Sequence, residues 1–122
     1  MKTILVVDDS QFMREICCGM LRKQKQYSLL EASNGADCLN ATLSHQPDLV
    51  LMDIEMPGQS GLEICQILKS ELSYQCPFVI LMSAEKLEDI ETKALAAGAD
   101  CVLEKPLQWS QLTTIIYNLL GE

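Results

Sequence analysis

The chain alternates, five times over, between a short, mostly apolar run and a longer stretch with apolar residues at three-and-four spacing. The runs are residues 3–7, 27–32, 49–52, 78–82 and 101–104. Runs this short, bounded by polar or turn-forming residues, read as buried strands. The segments between them read as helices. Ser10 is placed to cap the first, along which Met13, Ile16, Cys17, Met20 and Leu21 form one apolar face. Arg22, Lys23 and Lys25 stand near its C-terminal end, where the macrodipole favours cations. Ser33-Asn34-Gly35 makes a turn into a second helix at 36–43, which ends ahead of Pro47 and leaves His45 in a polar loop. The third helix spans 61–72 and carries Leu62, Ile64, Cys65, Ile67 and Leu68. The fourth spans 86–97 and is stopped by Gly98; the last spans 108–120 with Leu112, Ile115, Ile116 and Leu119 inward. Alternation of this kind predicts an α/β domain over 1–122, a parallel sheet with helices on both faces. Right-handed crossovers leave few strand orders open.

The strand ends carry the candidate chemistry. The third run leads into Asp53, after which Met56-Pro57-Gly58 and Gly61 cannot continue the strand. Asp8 and Asp9 follow the first run, Ser83 the fourth and Lys105 the fifth. In a parallel sheet these ends share one edge, where open α/β sheets bind ligands. Three acids crowded there repel one another, and a hard divalent cation such as Mg²⁺ relieves that repulsion. A carboxylate can also act as a nucleophile towards phosphorus and form an acyl phosphate. Taken singly, each residue is as well explained by a helix cap, a turn or a solvated lysine; it is their shared edge that points to a site.

Charge and cysteine content narrow the function. The net charge of −8 argues against a nucleic-acid partner, and no basic amphipathic face suggests a membrane surface. Lys2 precedes an apolar run, but Asp8-Asp9 breaks it far short of a signal peptide, so a cytoplasmic location is expected. The six cysteines include no C-x-x-C pair, and the lone His45 completes no zinc pattern. They are expected to be reduced and mostly buried.

Asp8-Asp9, Asp53 with Met56-Pro57 and Gly61, Ser83-Ala84, and Lys105-Pro106 together resemble the receiver domain of bacterial two-component response regulators, in spacing and order over the whole chain. The resemblance implies a flavodoxin-like, CheY-like (βα)5 fold with strand order 2-1-3-4-5. It implies that Asp53 accepts a phosphoryl group from a histidine kinase or histidine phosphotransfer protein, with Ser83 and Lys105 contacting that group. It implies Mg²⁺ bound by Asp9, Asp53 and the backbone carbonyl of Glu55, with Asp8 helping mostly through water, and a cis Lys105–Pro106 bond. The protein would then be a switch rather than an enzyme, catalysing only its own phosphorylation and autodephosphorylation. It would act on a downstream target or on an output domain outside this sequence, as a monomer or a phosphorylation-dependent dimer.

Departures from the family pattern shape the expected readout. Val102 stands where Tyr or Phe is frequent, so no ring can report the switch; the Ser83 loop and the fourth helix are expected to carry it, towards the fifth strand and fifth helix. Leu107 replaces a frequent Phe, and Ser83 a common Thr. Glu55 and Glu85 flank the acceptor and are expected to repel small anionic phosphodonors. Trp109, Tyr117 and the outer face of the fourth helix are a candidate partner surface, with ordinary partial burial the competing explanation. Three other functions compete: a haloacid-dehalogenase-like phosphatase, whose nucleophile would follow the first strand; a flavin binder, whose phosphate Asp8-Asp9 would repel; and a docking module that is never phosphorylated.

Overall fold

The computed structural model describes residues 1–24, 26–72 and 76–121, so Lys25 lies outside the described residues. Strands β1 (Lys2–Val7), β2 (Tyr27–Ala32), β3 (Leu49–Asp53), β4 (Phe78–Ser83) and β5 (Cys101–Glu104) alternate with helices α1 (Gln11–Arg22), α2 (Gly35–His45), α3 (Gly61–Glu71), α4 (Leu87–Ala96) and α5 (Trp109–Leu120). The strands form one parallel sheet in the order β2-β1-β3-β4-β5, as expected.

The apolar runs of β1, β3 and β4 are explained by burial on both faces. Alternate residues of each strand enter opposite cores, because side chains on a strand repeat every second residue. Val7, Val50, Met52, Val79, Leu81 and Val102 join Cys38 of α2, Ile64, Cys65 and Leu68 of α3, and Ile90 and Ala94 of α4. Ile4, Val6, Leu49, Leu51, Ile80, Met82 and Leu103 face Cys17, Cys18 and Leu21 of α1 and Leu112 and Ile116 of α5. Each fully buried aliphatic side chain contributes roughly 1.5–3 kcal/mol of transfer free energy.

Helix boundaries follow local polar chemistry. Ser10 Oγ accepts from the Met13 amide at 3.2 Å, and Ser60 and Glu63 form a reciprocal capping box on α3. Three expectations need correcting. Asn34 is the cap of α2, accepting from the Asp37 amide at 2.8 Å, and the helix runs on to His45 before Gln46 turns left-handed at φ 48°. His45 is therefore the last residue of a helix, not part of a loop; the polar 44–45 pair marks an exposed face rather than an end. On α1, Ile16 is exposed and Cys18 is buried, because the inward arc centres on Cys17, Cys18 and Leu21. On α5, Leu112 and Ile116 are fully inward, while Ile115 and Leu119 are only half-buried.

Behind the sheet edge, Asp100 Oδ2 accepts from Lys69 Nζ at 2.7 Å and from the Val79 amide at 2.8 Å. This ties the end of α3 to the start of β4 and leaves Gly98 (φ +96°) packed against the Lys69 stem.

All six cysteines are free, as expected; four are buried. Burial pushes the Cys38 thiol up to about 12 and the Cys17 and Cys65 thiols up to about 11, from 9.0. The unfolded chain therefore ionises these thiols first as pH rises. Their contribution to stability is complete below about pH 9 and is lost above it, by about 1.4 kcal/mol per thiol per pH unit. Urea unfolding at pH 8 to 10 is expected to show this decline, with a shallower slope in Cys38→Ala. An equal slope in that variant would remove the thiol as its cause.

Candidate functional site

The site is assembled by strand register. Val7 lies opposite Met52, so Asp8, one residue past β1, stands beside Asp53 at the end of β3. Ser83 lies opposite Glu104, so Lys105 begins where β4 ends, and its amide donates to the Ser83 carbonyl at 2.7 Å. The order reverses between β1 and β3, so the acids sit at the topological switch point of the sheet.

Asp53 is almost completely buried, at 4 % exposure. Its Oδ1 accepts from the Glu55 amide at 3.3 Å and lies 3.2 Å from Lys105 Nζ. Burial is the largest influence on its carboxyl and raises its pKa, with Asp8 and Glu55 adding to the rise; Lys105 opposes them and does not win. Lys105 is itself raised: burial lowers it, but the Asp53 and Asp8 carboxylates outweigh that.

Asp8 is held from several sides. Its amide donates to the Ala32 carbonyl, its Oδ1 accepts from the Ser10 amide at 3.0 Å, and its own carbonyl accepts from Arg14 Nη1 at 2.6 Å. Its Oδ2 is buried, lacks any hydrogen bond, and has only the Lys105 ammonium at 3.5 Å. A buried carboxylate oxygen left in that state is costly. Asp9 is exposed at the rim, and one oxygen from each of Asp8, Asp9 and Asp53 lies within 4.8 Å of the others. A hard cation fits this oxygen set and would satisfy the orphaned atom.

Across the crevice, Ser83 is fully buried. Its hydroxyl accepts from the Glu85 amide at 3.0 Å and donates to Glu55 Oε2 at 2.9 Å, while the Ala84 amide donates to Glu55 Oε1 at 2.7 Å. Glu104 of β5 reaches over to accept from the Leu87 amide at 2.7 Å, capping α4, whose Lys86 provides no side-chain cap. The Lys105–Pro106 bond is cis.

The sequence-derived residues Asp8, Asp9, Asp53, Ser83 and Lys105 thus meet at one edge. Glu55 is expected from sequence as a backbone ligand and a repelling charge; its side chain also holds the Ser83–Ala84 donors, which the sequence does not indicate. Arg14, which holds the Asp8 carbonyl, lies outside the residues expected from the sequence. The only sequence signal for it is a cation one helical turn past the Ser10 cap. Val102 is buried against the α4 side of the sheet, Trp109 is half-buried against the α5 side, and Tyr117 is 60 % exposed.

Fold and site define a flavodoxin-like, doubly wound domain with an acid–lysine crevice at its switch point. The chain belongs to the response regulator receiver domain family, whose sequence model matches residues 4–117. It is therefore a two-component signalling module of the CheY-like kind, from a family of switches rather than dedicated enzymes. It is 34 % identical over 119 residues to the chemotaxis protein CheY of Halobacterium salinarum, covering 98 % of this chain and 97 % of that protein. It is 37 % identical over 120 residues to the phosphate regulon transcriptional regulatory protein PhoB of Pseudomonas aeruginosa, covering 98 % of this chain but only 52 % of that protein. The chain thus spans about half the length of one such relative and nearly all of the other. The crystal structure of the signal receiver domain of a DNA-binding response regulator from Colwellia psychrerythraea superposes with a TM-score of 0.91, at 25 % identity and full coverage of both chains. No helix among the described residues is long and apolar enough to cross a membrane.

Proposed function

We propose that Asp53 is the phosphoryl acceptor of a receiver domain spanning this chain, and that its modification switches the surface formed by α4, β5 and α5. The observation that carries the reading is the Lys105 ammonium shared between the buried Asp53 carboxylate at 3.2 Å and the otherwise unsatisfied buried oxygen of Asp8 at 3.5 Å. An Asp53 oxygen attacks phosphorus on a phosphohistidine of a kinase or phosphotransfer protein. With the phosphohistidine ring already protonated on its other nitrogen, the P–N bond breaks, neutral imidazole leaves with that proton and the bonding pair, and Asp53 becomes an acyl phosphate. The Lys105 ammonium then pairs with one phosphoryl oxygen, and the Ser83 hydroxyl and Ala84 amide donate to others. Asp8, Asp9, Asp53 and the Glu55 backbone carbonyl would hold Mg²⁺, which supplies neutralisation of the charge on the transferred group. Water later returns Asp53 to the free acid.

The switch has a mechanical route. Ser83 and Ala84 lead directly into α4, and Glu104, next to Lys105, caps that helix. Rearrangement at either residue shifts the start of α4, without any aromatic rotation at Val102. The surface so altered addresses a downstream target or an attached output domain, in the cytoplasm, with the chain as a monomer or as a dimer formed on phosphorylation.

Intact-mass spectrometry with a phosphohistidine protein donor tests the reading. One phosphoryl adduct is expected with Mg²⁺ and none with a chelator. Mg²⁺ at about 100 times its Kd should also raise the melting temperature by roughly 10 °C, since that excess is worth ~2.7 kcal/mol. No adduct with any donor, or indifference to Mg²⁺, would sink it.

A further inference from the structure

The two donors that end β4 are already in use. Glu55 spans them with both carboxylate oxygens, one on the Ser83 hydroxyl and one on the Ala84 amide. The arrangement is oriented: Ser83 Oγ accepts from the Glu85 amide, which leaves its proton free to point at Glu55. These are charge-assisted bonds, the stronger kind. Ser83 is fully buried with Glu55 in place, so a hydroxyl that loses Glu55 needs another acceptor. Glu55, by contrast, is exposed and can swing out into water. A carboxylate offering two anionic oxygens to a hydroxyl and an amide is a chemical stand-in for two oxygens of a phosphoryl group.

We propose that the Glu55 side chain is the resident occupant of the phosphoryl-oxygen subsite, a built-in competitor that the incoming group must displace. The proposal rests on Asp53 being the acceptor. It makes Glu55 a brake on transfer. A donor carried on a docked protein has interface energy to offset the displacement, whereas a free small phosphodonor such as acetyl phosphate has very little. Glu55 thereby restrains phosphorylation from the metabolite pool and leaves protein-borne transfer favoured. Simple charge repulsion does not make the same forecast. A Gln side chain removes the charge but still offers one oxygen to Ala84 and an amide group beside Ser83, so it should remain a partial occupant.

The test compares wild type with Glu55→Ala and Glu55→Gln, each checked for native melting. With acetyl phosphate and Mg²⁺, Glu55→Ala is expected to be modified roughly tenfold faster, the equivalent of about one net hydrogen bond. Glu55→Gln should fall between the two. With a phosphohistidine protein donor the order Ala, Gln, wild type should hold as well, since the same displacement precedes transfer, but from a far higher wild-type rate because docking supplies the donor at high local concentration. Equal rates with acetyl phosphate in all three proteins would overturn the proposal, and so would equal acceleration in the Gln and Ala variants. Amide hydrogen exchange at Ala84 provides a readout that needs no donor: protection should drop in Glu55→Ala, and unchanged exchange overturns the occupancy outright. If no protein is modified by any donor, it is the acceptor role of Asp53 that has failed, and the Ala84 measurement still decides where Glu55 rests.

Discussion

Asp53→Asn is expected to take up no phosphoryl group from any donor and, at the same time, to melt higher than wild type in the absence of metal. The first effect follows from chemistry: the amide keeps the shape of the side chain but has no nucleophilic carboxylate to form an acyl phosphate. The second follows from the balance of forces at the end of β3. Burial disfavours the Asp53 charge most, Asp8 and Glu55 add to this, and Lys105 recovers only part of it. The charged form is thus harder to hold in the fold than in the unfolded chain, and a neutral isostere removes that cost. A gain of about 1 kcal/mol would show as roughly 4 °C. The Mg²⁺-induced shift should shrink in the same protein, because one of the oxygens proposed to hold the ion loses its charge. Thermal melts with and without Mg²⁺, beside intact-mass spectrometry, check all three points. A variant that melts lower without metal would mean that the Lys105 pair outweighs the repulsion. Adduct formation in the variant would move the acceptor elsewhere.

Gly61→Ala is expected to damage the fold and the site together. The loop from Ile54 to Gly61 is closed by the Gly61 amide, which donates to the Ile54 carbonyl at 2.9 Å, while the Ile54 amide donates to Met82 at 2.8 Å. A methyl group on Gly61 would sit 2.8 Å from Ile54 Cα and closer still to the carbonyl oxygen of Asp53. Both obstacles are backbone, so relief requires moving the strand end that aims Asp53. A loss of about 3 kcal/mol, the upper range for overpacking, is expected in urea unfolding. Phosphorylation should slow as well if Asp53 is the acceptor proposed above, because it is displaced from Lys105. Gly19→Ala is the control: it lies inside α1 with nothing within 4 Å of the added methyl, and helix propensity favours it. If both variants unfold at the same urea concentration, the close approach at Gly61 does not constrain the loop.

Much of this molecule was legible in its residues because two periodicities were unambiguous. The runs that became β1, β3 and β4 read as strands buried on both faces, and the edge strands Tyr27–Ala32 and Cys101–Glu104, only partly buried, fall where the alternation puts them. The crevice was legible for the same reason, since a parallel sheet brings all strand ends to one edge. What stayed hidden was decided by side-chain direction. Ile16 and Cys18 are both apolar and two positions apart, so spacing alone could not say which turned inward. Ser44 and His45 looked like a loop because an exposed helix face and a loop share polarity. Glu55 looked like one more repelling acid, because nothing in a linear sequence shows that Ser83 and Ala84, 28 and 29 positions on, present hydrogens to it.

The cavity of about 300 Å³ at the other end of the sheet is lined by Lys2 from the first strand and by Leu119 and Leu120 from the last helix, with Pro47 and Phe78 between them. The first and last described segments therefore meet on the side facing away from the acids. A fluorophore, an affinity handle or a tethered fusion attached at either terminus would hang from the back of the sheet. Immobilised by those ends, the protein would present its acidic crevice to solution, open to donors and metal alike.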